Sequence, residues 1–130
     1  MNNFPPQRIV CLTEETVELL YLLGEEDKIV GVTGYAVRPK IVRKQKPRIS
    51  SFKSANIQKI IELKPDIVLA FSDIQSEIVA SLVKKGQSVL CFNQRDIEGI
   101  FNMIQTICNL LDIKQKGINL ISKLKNNIYQ

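Results

Sequence analysis

The chain contains no histidine and no tryptophan among its 130 residues. Without histidine it cannot by itself build a Ser-His-Asp triad, a Cys-His pair or a His-ligated zinc or haem iron. Its three cysteines, Cys11, Cys91 and Cys108, are far apart and show no CxxC spacing, so neither a disulfide framework nor a zinc knuckle is indicated. Each has aliphatic neighbours (Ile9, Val10 and Leu12; Val89, Leu90 and Phe92; Ile104, Ile107 and Leu111), which predicts three buried, reduced, free thiols. No apolar run approaches the ~18 residues that would span a membrane, so membrane insertion is not expected. Glycine is scarce, with six residues and no GxGxxG spacing. The turn after the first apolar run, Thr13-Glu14-Glu15-Thr16, places two carboxylates where a nucleotide phosphate would need backbone N–H groups, which argues against Rossmann and P-loop readings.

What is present, 45% hydrophobic and 24% charged residues, suits one soluble globular domain. The net charge of +5 is not organised for nucleic acid. The dense basic stretch from Arg38 to Arg48 has no aromatic residue within it and reads as a solvated connection. A second basic run, Lys114 to Lys125, alternates with Ile118, Ile121 and Leu124, as on the polar side of a helix. The first eight residues hold no apolar h-region, so a cytoplasmic location is expected for the sequence as it stands, and an extracytoplasmic one if the true start lies upstream.

Ile9-Val10-Cys11-Leu12 reads as a buried strand, with Thr13 as N-cap of a helix over Glu15–Leu23 that Gly24 stops. Lys28–Thr33 and Arg48–Ser50 are the next strands. Ile57, Ile60 and Ile61 fall at helical spacing and Pro65 ends that helix. Ile67–Phe71 is the clearest strand. Ile78, Val79, Leu82 and Val83 mark a helix closed by Gly86, and Ser88–Phe92 is a further strand. Ile97, Ile100, Phe101, Ile104, Cys108 and Leu111 line one face of a long helix, and a last helix runs from about Gly117 to Ile128.

Strands that are apolar throughout and alternate with helices predict an α/β fold, a mostly parallel sheet covered on both faces. Ligands in such folds sit beyond the carboxyl ends of the strands. That rule selects Thr13, Glu14, Tyr35, Phe52, Lys53, Phe71, Ser72, Asp73 and Asn93 as candidate ligand-binding residues, with Gln94 beside them. No nucleophile–base pair and no metal cluster points to an enzyme, and no cofactor is indicated. A phospho-acceptor receiver module would share the acidic pair Glu14-Glu15, but Phe52 and Lys53 stand where it needs an aspartate.

The order Leu23-Gly24, Asp27-Lys28-Ile29-Val30-Gly31-Val32-Thr33, Tyr35, Pro39, Lys46-Pro47-Arg48-Ile49, then Ile57-Gln58-Lys59-Ile60-Ile61-Glu62-Leu63-Lys64-Pro65-Asp66-Ile67-Val68-Leu69-Ala70, with Leu82 and Gly86-Gln87-Ser88-Val89, carries a family pattern. It resembles the amino-terminal lobe of the substrate-binding proteins of ABC importers for cobalamin and ferric siderophores, the helical-backbone class. The resemblance implies a single chelatase-like lobe over residues 1–130, with 113–130 similar to the start of an interlobe helix. It implies a metal chelate as ligand, aromatic surface at Tyr35, Phe52 and Phe71, and an ABC permease as partner. Glu14 and Val17 replace a proline and a threonine usual in the family. Gln58 stands where coupled members carry an acidic docking residue, which argues against permease coupling through that position. Two alternatives remain open: a homodimer using the apolar stripe Ile118, Ile121, Leu124 and Ile128, and a protein-interaction module that retains no ligand.

Overall fold

Short apolar strands separated by helices assemble into a five-stranded sheet of order β3-β2-β1-β4-β5, with every pairing parallel. The computed structural model describes residues 3–33, 41–50 and 56–129. The strands are β1 (Ile9–Cys11), β2 (Ile29–Thr33), β3 (Arg48–Ser50), β4 (Ile67–Phe71) and β5 (Val89–Phe92). The helices are α1 (Glu14–Leu22), α2 (Val42–Gln45), α3 (Ile57–Glu62), α4 (Ser76–Lys84), α5 (Ile97–Leu110) and α6 (Lys114–Tyr129). The chain forms two compact units, Met1–Asn93 with the sheet and α1 to α4, and Gln94–Gln130 with α5 and α6.

In the sheet unit, period-two alternation sorts the strands between two faces. Val10 and Leu12 of the β1 segment and Val68 and Ala70 of β4 pack with Ile60, Ile78 and Leu82 of α3 and α4. The valine, leucine and isoleucine side chains among these each stabilise the fold by about 1.5 to 3 kcal/mol when fully buried. Gly24 closes the α1 turn at φ 72° and Gly86 closes α4 at φ 84°, both in the left-handed region that glycine enters without a steric cost. The Arg38–Arg48 connection is not merely solvated, because α2 lies within it and Val42 is completely buried.

In the helical unit, Phe101, Met103, Ile104, Ile107, Cys108 and Leu111 are buried. Ile97 and Ile100, expected on the same covered face, are exposed because they occupy the first turn, ahead of the packed length of α5. α6 starts three residues before Gly117, and that glycine sits so close to α5 that a Cβ there would come 2.8 Å from Cys108 Cβ. The Lys125 ammonium lies 5.3 Å from the Phe101 ring centroid, a cation–π contact. Ile121 and Leu124 are half-buried while Ile118 and Ile128 are exposed, so part of the stripe expected to meet a second copy is packed within its own unit.

β1 and β4 are neighbours in the sheet although five of these elements lie between them in the chain, and side chains pin both ends of this pairing. At the amino end, buried Asp66 accepts hydrogen bonds from Gln7 N (2.8 Å), Arg8 N (3.0 Å) and Asn3 Nδ2 (3.1 Å). The Arg8 guanidinium donates in turn to Leu63 O at 2.6 Å. At the carboxyl end, Gln75 is 0% exposed; its Nε2 donates to Leu12 O at 3.0 Å and its Oε1 accepts from Phe71 N at 2.9 Å.

Burial pushes the Asp66 carboxyl upward, but the hydrogen bonds from Gln7, Arg8 and Asn3 outweigh it and hold the group below its ordinary value. A folded value below the unfolded one adds stability above about pH 4 that fades as pH falls through the folded value. Asp66→Ala is therefore expected to lower stability by about 1–2 kcal/mol at pH 7, and by less as the pH approaches 3, in urea unfolding followed by circular dichroism. Gln75→Leu, which keeps the volume but strands Leu12 O and Phe71 N, is expected to cost about 2–4 kcal/mol at every pH.

Candidate functional site

The strand order reverses between β1 and β4, and in doubly wound sheets the crevice beyond the carboxyl ends at such a reversal is where ligands bind. Gln75 fills that crevice from within. The short turn Asp73–Gln75 folds it inward, leaving Ile74 53% exposed while the amide is wholly buried. Residue hydropathy points the opposite way, and no sequence signal identified Gln75.

Thr13 follows β1 but is only 1% exposed. Its hydroxyl lies 3.0 Å from Thr16 Oγ1, which also donates to Thr13 O. Thr13 stands at the N-cap position of α1 without making a side-chain cap bond, so the expected capping role is corrected: the hydroxyl is drawn inward by Thr16. It shapes the strand end and offers no open surface. Glu14, the first residue of α1, is half-buried beside it.

Phe71 ends β4 half-buried. Ser72 then takes φ 68° and ψ 168°, a conformation almost reserved for glycine. Its N–H donates to Phe92 O at 2.6 Å and its hydroxyl accepts from Ile74 N at 3.1 Å and donates to Asp73 Oδ1 at 3.1 Å. These bonds hold the strained residue in place and turn Asp73 outward, where it is exposed.

Ser72, Asp73 and Asn93 line one groove of about 530 Å³, together with Ser76, Val79, Val83 and Lys84 of α4 and Cys91 of β5. Thr13, Glu14 and Phe71 do not line it. Gln94 belongs to the helical unit, where its Nε2 donates to Met103 Sδ at 3.3 Å. Tyr35, Phe52 and Lys53 lie outside the described residues.

Cys91 corrects the expectation of three buried cysteines, since Cys11 and Cys108 are buried and Cys91 is exposed. The reason is its place on a strand that, among the described residues, is outermost in the sheet and pairs with β4 alone. Partial burial raises its thiol above the ordinary value, against a hydrogen bond to the Ser72 backbone. Full burial pushes Cys11 up to about 12, opposed by its bond to Thr16 and by the Lys46 charge. Among the described residues no cluster of three metal-ligating side chains occurs, and no helix is long and apolar enough to cross a membrane.

The chain is 31% identical over 127 residues to the uncharacterised ABC transporter substrate-binding lipoprotein YvrC of Bacillus subtilis, covering 95% of this chain and 40% of that protein. It is 27% identical over 116 residues to the vitamin B12-binding protein of Vibrio vulnificus, covering 88% of this chain and 42% of that protein. The chain thus spans about two-fifths of these relatives. The crystal structure of the periplasmic vitamin B12 binding protein BtuF of Vibrio cholerae shares the fold with a TM-score of 0.85 at 24% identity, over 97% of this chain and 49% of that one. The family model for the periplasmic binding proteins matches residues 9–129, from the first residue of β1 to the last of α6, and the chain belongs to that family.

Proposed function

We propose that this chain is a ligand-binding lobe for a metal chelate, cobalamin or a ferric siderophore, held against the carboxyl ends of the strands rather than within the crevice between them. The observation that carries the reading is the arrangement at the β1–β4 reversal: Gln75 occupies the crevice, while Glu14, Phe71 and Asp73 remain around it on the ends of two adjacent strands. A plugged crevice suits a broad ligand resting on a platform, and apolar chelate surface suits aromatic side chains. The vitamin B12-binding relative supports cobalamin within that class. Tyr35, Phe52 and Lys53, which follow β2 and β3 in the sequence, complete the proposed set.

The chain acts in this reading as a binding protein rather than an enzyme. We place it outside the cytoplasmic membrane, because the relatives are a lipoprotein and a periplasmic protein by name. Gln58 is exposed on α3 and its amide donates to Glu62 Oε1 at 3.4 Å. We therefore assign any permease contact on that helix to Glu62, one turn further on.

Isothermal titration of the chain with cyanocobalamin and with the ferric siderophore ferrichrome tests the reading. One lobe covers one side of the ligand, so a dissociation constant of about 10 μM or weaker is expected for one of the two. Phe52→Ala and Asp73→Ala should each weaken it by about tenfold, the loss of roughly one good contact. Absence of heat with both ligands, or affinity unchanged in both variants, refutes the platform.

A further inference from the structure

The two edges of the sheet differ chemically. β3 begins at Arg48 directly after Lys46-Pro47, and cations and proline are the usual protection of a sheet edge. β5 has no such guard: from Gln87 to Gln94 the chain carries neither charge nor proline. Among the described residues β5 pairs only with β4. The Ser88 and Phe92 carbonyls accept from Val68 N and Ser72 N of the β4 side. By alternation the backbone groups of Val89 and Cys91 point away from β4.

The surface beside this edge is apolar and built by α4. Cys91 lies opposite Ala70, on the face that α3 and α4 cover. Val79, Ala80 and Val83 line the groove next to it, and Val83 is 56% exposed. Asp73 and Lys84 mark opposite ends of the groove, Asp73 just after the carboxyl end of β4 and Lys84 in the last turn of α4.

We propose that this edge is a self-association surface, on which β5 of one copy pairs antiparallel with β5 of a second copy about a two-fold axis. An antiparallel join is isologous, so each contact occurs twice. It turns the Asp73 end of one groove toward the Lys84 end of the other, and the reverse, and brings Ala80 and Val83 of both copies together over the join. This reciprocal match of charge is what favours a second copy over an unrelated peptide. The interface is distinct from the α6 stripe, and it does not depend on the chelate reading. A four-residue strand and a narrow groove make it small, so association is concentration-dependent. In the registers that pair Cys91 with Val89 or with Cys91 of the other copy, which are the ones proposed, Cys91 lies within about 8 Å of its copy.

Sedimentation equilibrium of the intact chain from about 10 μM to about 1 mM, with cross-linking by a bismaleimide that spans about 8 Å, tests the interface. A dimer that cross-links through Cys91 and loses the cross-link in Cys91→Ser is expected. Val83→Lys and Lys84→Glu, both at solvent-exposed positions, should each weaken association about tenfold or more. Asp73→Lys combined with Lys84→Glu should restore it, and if that double variant fails to fold by circular dichroism, the two single variants decide. A monomer throughout, or a dimer that neither cross-links at Cys91 nor responds to Val83→Lys, overturns the proposal.

Discussion

The pairing of β1 with β4 is the contact on which the sheet unit depends. Among the described strands it is the join that links partners most distant in the chain, so its loop-closure entropy must be met by contacts that form only once both strands are in place. Asp66 and Gln75 supply these at opposite ends. The carboxylate gathers the amides that lead into β1, and the amide bridges the carbonyl that leaves β1 and the N–H that ends β4. Between them the register Ile9–Ile67, Val10–Val68 and Cys11–Leu69 is continuous. A one-residue slip would both exchange the faces of the strand and break both clamps.

The same clamp determines what kind of site the fold can offer. Many doubly wound proteins leave the reversal crevice open to a phosphate or a small ligand. Here a buried amide takes that space, and Thr13 and Thr16 satisfy one another beside it. Glu14 and Asp73 stand at the rim, at the starts of the helical segments after β1 and β4. Those positions agree with the helix dipole, which favours carboxylates at helix starts, while Lys84 lies in the last turn of α4. The Ser72 conformation fits this economy. A strained backbone persists only where surroundings over-determine it, and the hydrogen bonds of Ser72 with Phe92, Asp73, Ile74 and Gln75, together with the Gln75 bond to Phe71 N, do so.

Sequence by itself determined the class of fold, because strands apolar on both faces demand cover on both faces and helices of one-sided hydrophobicity provide it. Ile67–Phe71, Gly24, Gly86 and the Pro65-Asp66 turn were legible for that reason: each expresses a local rule of periodicity, left-handed turn or helix stop. The family pattern was legible as well, since it is a linear order of such elements. Tertiary structure alone decided which polar groups go inside and which thiol stays out. Gln75 is polar and buried, Ile74 is apolar and exposed, and Cys91 is set among aliphatic residues yet faces solvent. Their fates depend on strand order, on which carbonyl and N–H lie within reach, and on which strand has a neighbour on one side only. None of these is a property of residues adjacent in the chain. The β1–β4 reversal creates the unpaired groups that Gln75 satisfies, and β5 ending the sheet leaves Cys91 uncovered.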